Sequence, residues 1–424
     1  MTQQILLNSS ATGTVDIHAY RKEGGYQALE KVLRQNKPLE VIEEIKRSGL
    51  RGRGGAGFPT GRKWEMVATH RESERYLVCN AGEHEPGTYK DRHLLRHNPH
   101  QLLEGIAIGA FTIGAKESFI FMNGAFSEEI DLVQRAMDDA RRHGFLGSNV
   151  LGAGFTCDVR IFIGPDTYVA GEETALLEAM QGREAKPKHK PPFYPTVHGL
   201  YGKPTVVNNV ETLANIPHIL FHGSEWFRSF GTRTCPGMML FSISGDVNRP
   251  GVYELPLGIP LRKLIDDYGG GIKEGRALKA VYPGGPSQAF LMPKDLDVPM
   301  DFDSLKAVGS GLGSAGVIVL DDTRCMVEQT MKFCNFFKDE SCGQCPPCKM
   351  GTRYLHQILE KIEAGCGKPE DLQTLQQLSG FVKGRGDCTV ITAAAVAVEC
   401  SLRHFPDEFE SHIKEHRCTM KVVS

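Results

Sequence analysis

The sequence predicts three parts in succession: an α/β domain, a small β-rich domain and a C-terminal helical domain. Three observations carry that expectation. Strand-like runs at Tyr76–Cys79, Ser118–Met122 and Val159–Ile163 alternate with helical stretches at Leu102–Ile113 and Glu128–His143, the pattern of a largely parallel sheet covered by helices. Beyond about Thr234 the chain turns to short strands joined by turn residues, and beyond Arg324 it is helical.

Residues 1–50 read as a helical lead-in, because Val41, Ile42 and Ile45 fall at helical spacing after Pro38 and the pattern stops near Gly49. Residues 51–233 hold the α/β region. In residues 234–323, Met238–Ile243 and Gly251–Glu254 make a hairpin, Leu261–Tyr268 a short helix and Val317–Leu320 a further strand. Residues 324–424 read as a bundle of Met326–Phe337, Tyr354–Glu363, Glu370–Val382 and Ala393–His404, with a cysteine loop between the first two helices.

Composition narrows the function classes. At 424 residues the chain is long enough for several domains with real cores. A net charge of -2 argues against a polyanion-binding surface, so nucleic acid is not an expected partner. Met1–Val15 lacks the features of a secretory signal, and no apolar run reaches the ~18 residues that span a bilayer. Twelve cysteines in that setting suggest a reducing, cytoplasmic environment where thiols bind metals or lie buried.

Five segments carry chemistry. Cys342, Cys345 and Cys348 crowd three thiols into seven positions, with Cys388 downstream. This spacing suits an iron–sulfur cube better than a zinc tetrahedron, with zinc or unligated thiols as the alternatives. The other eight cysteines read as small buried hydrophobes or surface thiols. Arg51–Gly61 contains Gly52, Gly54 and Gly57 in a G-x-G-x-x-G spacing, but a helical segment precedes it where a dinucleotide fold needs a strand. Its glycines let backbone N–H groups close on a phosphate or flat ring, Arg53, Arg62 and Lys63 add charge, and Phe58 can stack on a base. Asn80–Gly87, with Glu83 and Glu85, follows a strand, where α/β sheets bind ligands. Tyr168–Ala175 opens a helix whose N-terminus suits phosphate, although Glu172 and Glu173 also stabilise such a helix by themselves. Asn208 and Asn209 offer uncharged donors and acceptors, or a helix cap.

Taken together, RGRGGAGFPTGRKW (Arg51–Trp64), EPGTYKDR (Glu85–Arg92), GEETAL (Gly171–Leu176), GKPTVVNNVET (Gly202–Thr212) and ESCGQCPPC (Glu340–Cys348) resemble the NADH-oxidising flavoprotein subunit of respiratory complex I and its relatives in NAD-linked hydrogenases and formate dehydrogenases. The resemblance covers almost the whole chain. It implies a Rossmann-like FMN and NADH domain, a ubiquitin-like β-grasp domain and a helical bundle carrying one [4Fe–4S] cluster. Carried over by position, Gly54, Gly55, Lys63, Asn80, Glu83, Tyr168, Gly171, Glu172, Val207, Asn208 and Asn209 surround FMN, and Gly52 and Gly57 of the same loop are further cofactor-binding candidates. Phe58, Glu85, Glu173 and Phe193 contact the dinucleotide, with Phe58 and Phe193 flanking its adenine. Cys342, Cys345, Cys348 and Cys388 hold the cluster, and Glu83 and Glu172 tune the flavin electrostatically.

The implied activity is hydride transfer from NADH to FMN, then single electrons to the cluster and to partners: a thioredoxin-like [2Fe–2S] subunit and a larger multi-cluster subunit. The expected location is cytoplasmic, peripheral to the membrane through the complex. The diaphorase subunit of a soluble hydrogenase, formate dehydrogenase or bifurcating complex is the alternative. The chain departs from the family at Gly82, where aspartate is common, at Met66, around Phe193–Pro195 and around Gly386–Val390.

Overall fold

The computed structural model describes residues 4–7, 13–418 and 420. Helices α1 (Ile17–Lys22), α2 (Gln27–Gln35) and α3 (Pro38–Ser48) lead in. Gly49 ends α3 with a φ of 71°, a left-handed conformation that glycine adopts without steric cost. Val41, Ile42 and Ile45 are buried in the same apolar cluster as Leu77, Ile106 and Ile120, so the lead-in shares a core with the α/β part.

Next come α4 (Thr60–Ala68), β1 (Tyr76–Ala81), α5 (Lys90–His97), α6 (Pro99–Ile113), β2 (Glu117–Asn123), α7 (Ser127–Arg142) and β3 (Val159–Gly164). After them lie α8 (Glu173–Met180), α9 (Pro195–His198), β4 (Thr205–Asn209), α10 (Val210–Ala214), α11 (Ile216–His222) and α12 (Ser224–Arg228). The four strands run parallel in the order β3-β2-β1-β4, with Tyr76 opposite both Glu117 and Thr205. Side chains alternate between faces along a strand. Thus Leu77, Cys79 and Ile120 pack towards α6, while Tyr76, Val78 and Phe121 pack with Leu176 of α8 on the other face. The chain moves outward from β1 to β3 and then returns to β4 on the opposite side. Such a reversal opens a crevice at the strand C-termini, where ligands bind in open α/β sheets.

The second sheet is mixed. Its elements are β5 (Met238–Gly245), β6 (Gly251–Pro256), α13 (Leu261–Lys263), β7 (Leu278–Tyr282), α14 (Phe302–Ala307) and β8 (Gly316–Asp321), with strand order β6-β5-β8-β7. β5 pairs antiparallel with β6 and parallel with β8. The expected Leu261–Tyr268 helix is one α-helical turn that widens to a π-helix over Leu264–Tyr268. β7, which the sequence pattern does not mark, is a short edge strand with a register shift between Leu278 and Ala280. Its side-chain pattern is correspondingly weak. β4 is also unmarked in the sequence, because its pairing to β1 is set by residues far away in the chain.

The last part holds α15 (Met326–Asp339), α16 (Pro346–Glu363), α17 (Pro369–Val382), α18 (Val390–His404) and α19 (Pro406–Glu415), packed around Phe337, Leu355, Leu359, Ile391 and Phe409. α16 begins earlier than the sequence pattern suggests. Pro346 and Pro347 occupy its first positions, where a missing N–H costs nothing. Among the described residues, no helix is long and apolar enough to cross a membrane.

Beneath the strand C-termini lies a buried charge cluster. The Lys90 ammonium, 1% exposed, pairs with Asp91 at 2.7 Å and Glu211 at 2.9 Å, and donates to Asn209 Oδ1 at 3.2 Å. Glu211 Oε1 accepts from the Leu240 N–H of β5 at 2.9 Å, which ties the two sheets together. Losing one partner of a buried ion pair typically costs about 3–5 kcal/mol. Lys90→Met is therefore expected to destabilise the protein by about that much. The check is thermal unfolding beside the wild type, with Lys90→Arg falling between them.

Candidate functional site

The glycine-rich segment is a closed loop between α3 and α4. The Gly52 N–H donates to Phe58 O at 2.8 Å and the Thr60 N–H to Leu50 O at 2.9 Å. Gly55 and Gly57 have φ of 112° and 62°, which glycine alone adopts without strain. A β-carbon on Gly54 would stand 3.1 Å from that of Asn209, so the loop lies with its backbone close against the end of β4. Arg53 does not serve as surface charge. It is fully buried, its Nη2 donates to the carbonyls of Pro236 and Met238, and burial lowers its pKa to about 10. Arg62 is exposed. Lys63 donates to Val207 O and Glu173 Oε2, both at 3.2 Å, and lies 5.9 Å from the centre of the Phe58 ring. Phe58 is 41% exposed.

The loop after β1 meets the segment before α8. Asn80 Nδ2 donates to Gly171 O at 2.9 Å, and a β-carbon on Gly171 would stand 3.3 Å from Gly82 O. Glu83 is buried and accepts from the N–H groups of Asp91 (2.8 Å) and Arg92 (3.2 Å) in the first turn of α5. Burial, with Asp91 nearby, pushes its pKa up to about 7. Glu85 accepts from the Tyr168 hydroxyl at 2.7 Å and the Ser287 N–H at 3.1 Å, which joins the α/β part to the mixed-sheet part. The Tyr168 N–H donates to Glu340 at 2.7 Å, and its ring packs edge-on against Phe336 and Phe337 of α15.

Glu172 caps α8, accepting from the N–H groups of Thr174 (2.8 Å) and Ala175 (2.9 Å), and also accepts from the Thr174 hydroxyl and from Lys190 Nζ, the latter at 2.7 Å. Glu173 lies between Lys63 and Lys190; burial would raise its pKa, but the two ammonium groups hold it below the usual carboxylate value. Asn208 Oδ1 accepts from buried Trp64 Nε1 at 2.7 Å. Asn209 caps α10 through Glu211 N at 3.0 Å and also bonds Asp91. Phe193 is 40% exposed, with Lys188 Nζ 5.4 Å from its ring centre.

Lys63, Asn80, Gly171, Glu172, Glu173, Val207, Asn208 and Asn209 thus come together at one end of the parallel sheet, with Gly54 against Asn209, whereas Gly55 and Gly57 of the same loop face Gly313 and Phe302 of the mixed-sheet part. A β-carbon would crowd Asn209 at Gly54 and Phe302 at Gly57, so glycine lets the loop pack as a close-set cradle, and Lys63, shared with Glu173, is the donor beside it. This donor set fits a flat ring carrying a phosphate.

The four predicted cysteines converge, each contributing to the electrostatic environment of Cys348, whose thiol is pushed up to about 12 mainly by burial. Cys342 and Cys345 precede α16 and Cys348 sits in its first turn, so a helix presents the third thiol where the sequence suggests a loop. Gln344 Nε2 ties this corner to Pro187 O at 2.8 Å and Asp387 at 3.0 Å, next to Cys388. Four thiols with no competing carboxylate bond suit an iron–sulfur cluster.

Sequence reasoning missed several contributors. His84 is largely buried beside Gly82, with its Nε2 3.6 Å from Asp166 Oδ1. Lys190 neutralises both glutamates at the head of α8. The Lys90–Asp91 pair lies within EPGTYKDR, yet the motif assigns it no role, and only its burial marks it out.

Comparison with known proteins agrees with this geometry. The Nuo51 FMN-binding domain matches residues 45–218, the NADH-ubiquinone oxidoreductase-F iron-sulfur binding region 328–412, and an SLBB domain 240–291. The chain is 47% identical to the second F subunit of the NADH-quinone oxidoreductase of Rhizobium meliloti (strain 1021), over 95% of each. It is 41% identical to the HndC subunit of the NADP-reducing hydrogenase of Solidesulfovibrio fructosivorans, over all of this chain and 86% of the relative. The crystal structure of an air-oxidized NAD+-reducing [NiFe]-hydrogenase superposes with a TM-score of 0.83 at 33% identity, over 92% of this chain and 65% of that one. With its glycine cradle and four-cysteine corner on one frame, the chain belongs to the family of NADH-quinone oxidoreductase F subunits.

Proposed function

We propose that this chain oxidises NADH at FMN and passes electrons singly through a [4Fe–4S] cluster to partner iron–sulfur subunits, as the electron-input subunit of an NADH:quinone oxidoreductase. The observation that carries the reading is the segment Tyr168–Glu173. It is bonded to Asn80 at the end of β1 and to Lys63 just past the glycine loop, and it touches the cysteine domain through Glu340, two residues before Cys342. One short stretch therefore borders both cofactor sites.

When bound, FMN takes electrons in pairs as hydride and releases them one at a time. The chain's own residues bind and orient. Gly52, Gly54, Gly55 and Gly57 would let the loop backbone close on the flavin and its phosphate, and Lys63 would supply positive charge. Asn80, Tyr168, Gly171, Val207, Asn208 and Asn209 supply its walls. Phe58 and Phe193, both partly exposed, offer faces for adenine, with Glu85 and Glu173 at the dinucleotide edge. Glu83 and Glu172 act through their charge on the flavin and on release of the oxidised nucleotide. Cys342, Cys345, Cys348 and Cys388 would hold the cluster.

Strand order β3-β2-β1-β4 supports a Rossmann-like reading of residues 51–233, and the hairpin beside parallel β8 supports a ubiquitin-like β-grasp for 234–323. The thioredoxin-like [2Fe–2S] and multi-cluster partners, and a cytoplasmic place at a membrane complex, belong to the same reading. The similarity to a hydrogenase subunit over the whole chain favours one second reading, the diaphorase subunit of a hydrogenase. Co-purification decides between them: a quinone-reductase assembly supports the first, a hydrogenase catalytic subunit the second.

Cys345→Ser should leave flavin absorbance that NADH still bleaches under anaerobic conditions, while the reduced-cluster paramagnetic signal disappears. Undiminished electron delivery to a protein acceptor would refute the ligand assignment. For the dinucleotide, Phe58→Ala and Phe193→Ala should each raise the KM for NADH about 3–10-fold, from a loss of about 0.5–1.5 kcal/mol of ring contact, with kcat little changed. Steady-state kinetics with NADH and NADPH checks this.

A further inference from the structure

The structure assigns a second metal site, for zinc, to Cys325, His412 and Cys418, and we propose that it fastens α19 to the head of α15. The Sγ atoms of Cys325 and Cys418 and a ring nitrogen of His412 all lie within 4.8 Å of one another, and no other such group of three occurs among the described residues. Cys325 and His412 are buried and Cys418 half-buried.

The histidine is already in the form a metal requires. Its Nδ1 stands 2.7 Å from the carbonyl of Glu408. A carbonyl only accepts, so Nδ1 carries the proton and Nε2 presents its lone pair. That lone pair lies 3.5 Å from Cys325 Sγ. A histidine that donates its other ring N–H to a backbone carbonyl is the usual outer support of a metal ligand. Two thiolates and one imidazole are zinc donors, and the two thiolate charges balance the dication, so the buried centre is neutral. A solvent molecule completes the tetrahedron.

This site is separate from the cluster. Cys325 caps the N-terminus of α15, whereas Cys342 lies just past its C-terminus. At ~1.5 Å rise per residue the helix holds the two centres about 20 Å apart. The Cys325 sulfur also accepts the Glu328 N–H at 3.4 Å, which fixes it at the helix head. His412 lies on α19, and Cys418 comes after that helix. Cys325 is thus brought from far along the chain to a ring and a thiol that lie close together in sequence.

The test uses the cofactor-loaded protein purified from zinc-supplemented cells. Elemental analysis should find about one zinc per chain besides the cluster iron, and zinc-edge X-ray absorption should show two sulfurs at about 2.3 Å with nitrogen and oxygen at about 2.0–2.1 Å. Cys325→Ser and His412→Gln should each lose most of the zinc at unchanged iron and flavin content. Zinc-free wild-type protein, a Cys325–Cys418 disulfide in it, or a zinc shell of four sulfurs would overturn the assignment. Because the wild-type spectrum decides by itself, variants that fail to fold leave the proposal open to refutation.

Discussion

The site rests on one buried cation. Lys90 stands where α5, α10 and the end of β4 meet, and its ammonium holds Asp91, Glu211 and Asn209 in place. Each partner holds something else. Glu211 reaches the β5 backbone, Asn209 stands against Gly54, and the Asp91 N–H binds Glu83. Charges so deeply buried are costly unless fully paired, so the cluster tolerates few arrangements. Arg53, buried near Glu211, joins the glycine loop to the same frame: its backbone N–H donates to Thr212 at 2.8 Å and its guanidinium to two carbonyls at the start of the mixed sheet.

From this floor the other parts are fixed by few, specific bonds. Glu85 is gripped by Tyr168 from one side and by Ser287 of the mixed-sheet part from the other. Tyr168 in turn is held by Glu340 beside the cysteine corner. Burial raises the pKa of Glu85, opposed by the hydrogen bonds from Tyr168 and Ser287, so the carboxyl is kept at the junction by directed bonds more than by a countercharge. A chain that must carry electrons between two cofactor sites needs their separation held constant, and this junction spans all three parts.

What the sequence made legible was local. The stop at Gly49 and the glycine loop are encoded within a few residues, and so is the three-thiol run, although its third thiol stands in the first turn of α16 and not in a loop. The alternation of strands and helices is equally legible, because burial on both faces leaves continuous apolar runs such as Tyr76–Cys79. What stayed hidden depends on distant partners. Nothing near Arg53 distinguishes a surface cation from a buried one, and β4 becomes a strand only beside β1. Cys325, His412 and Cys418 form no spacing motif, and only the packing of α19 on the bundle brings them together.

The two glutamates expected to influence the flavin are both engaged at helix N-termini, Glu83 at α5 and Glu172 at α8. A carboxylate bound by amide N–H groups is oriented and has little freedom to swing towards a substrate. That argues against proton shuttling and for a fixed electrostatic role. Glu172 has Lys190 as a counterion, whereas Glu83 has Arg92 but is also crowded by Asp91, and its pKa near 7 reflects burial first and that neighbour second. Hydride transfer itself needs no protein acid or base, since the cofactors supply the chemistry. In the function we propose, what these carboxylates contribute is a potential set by where the helices begin.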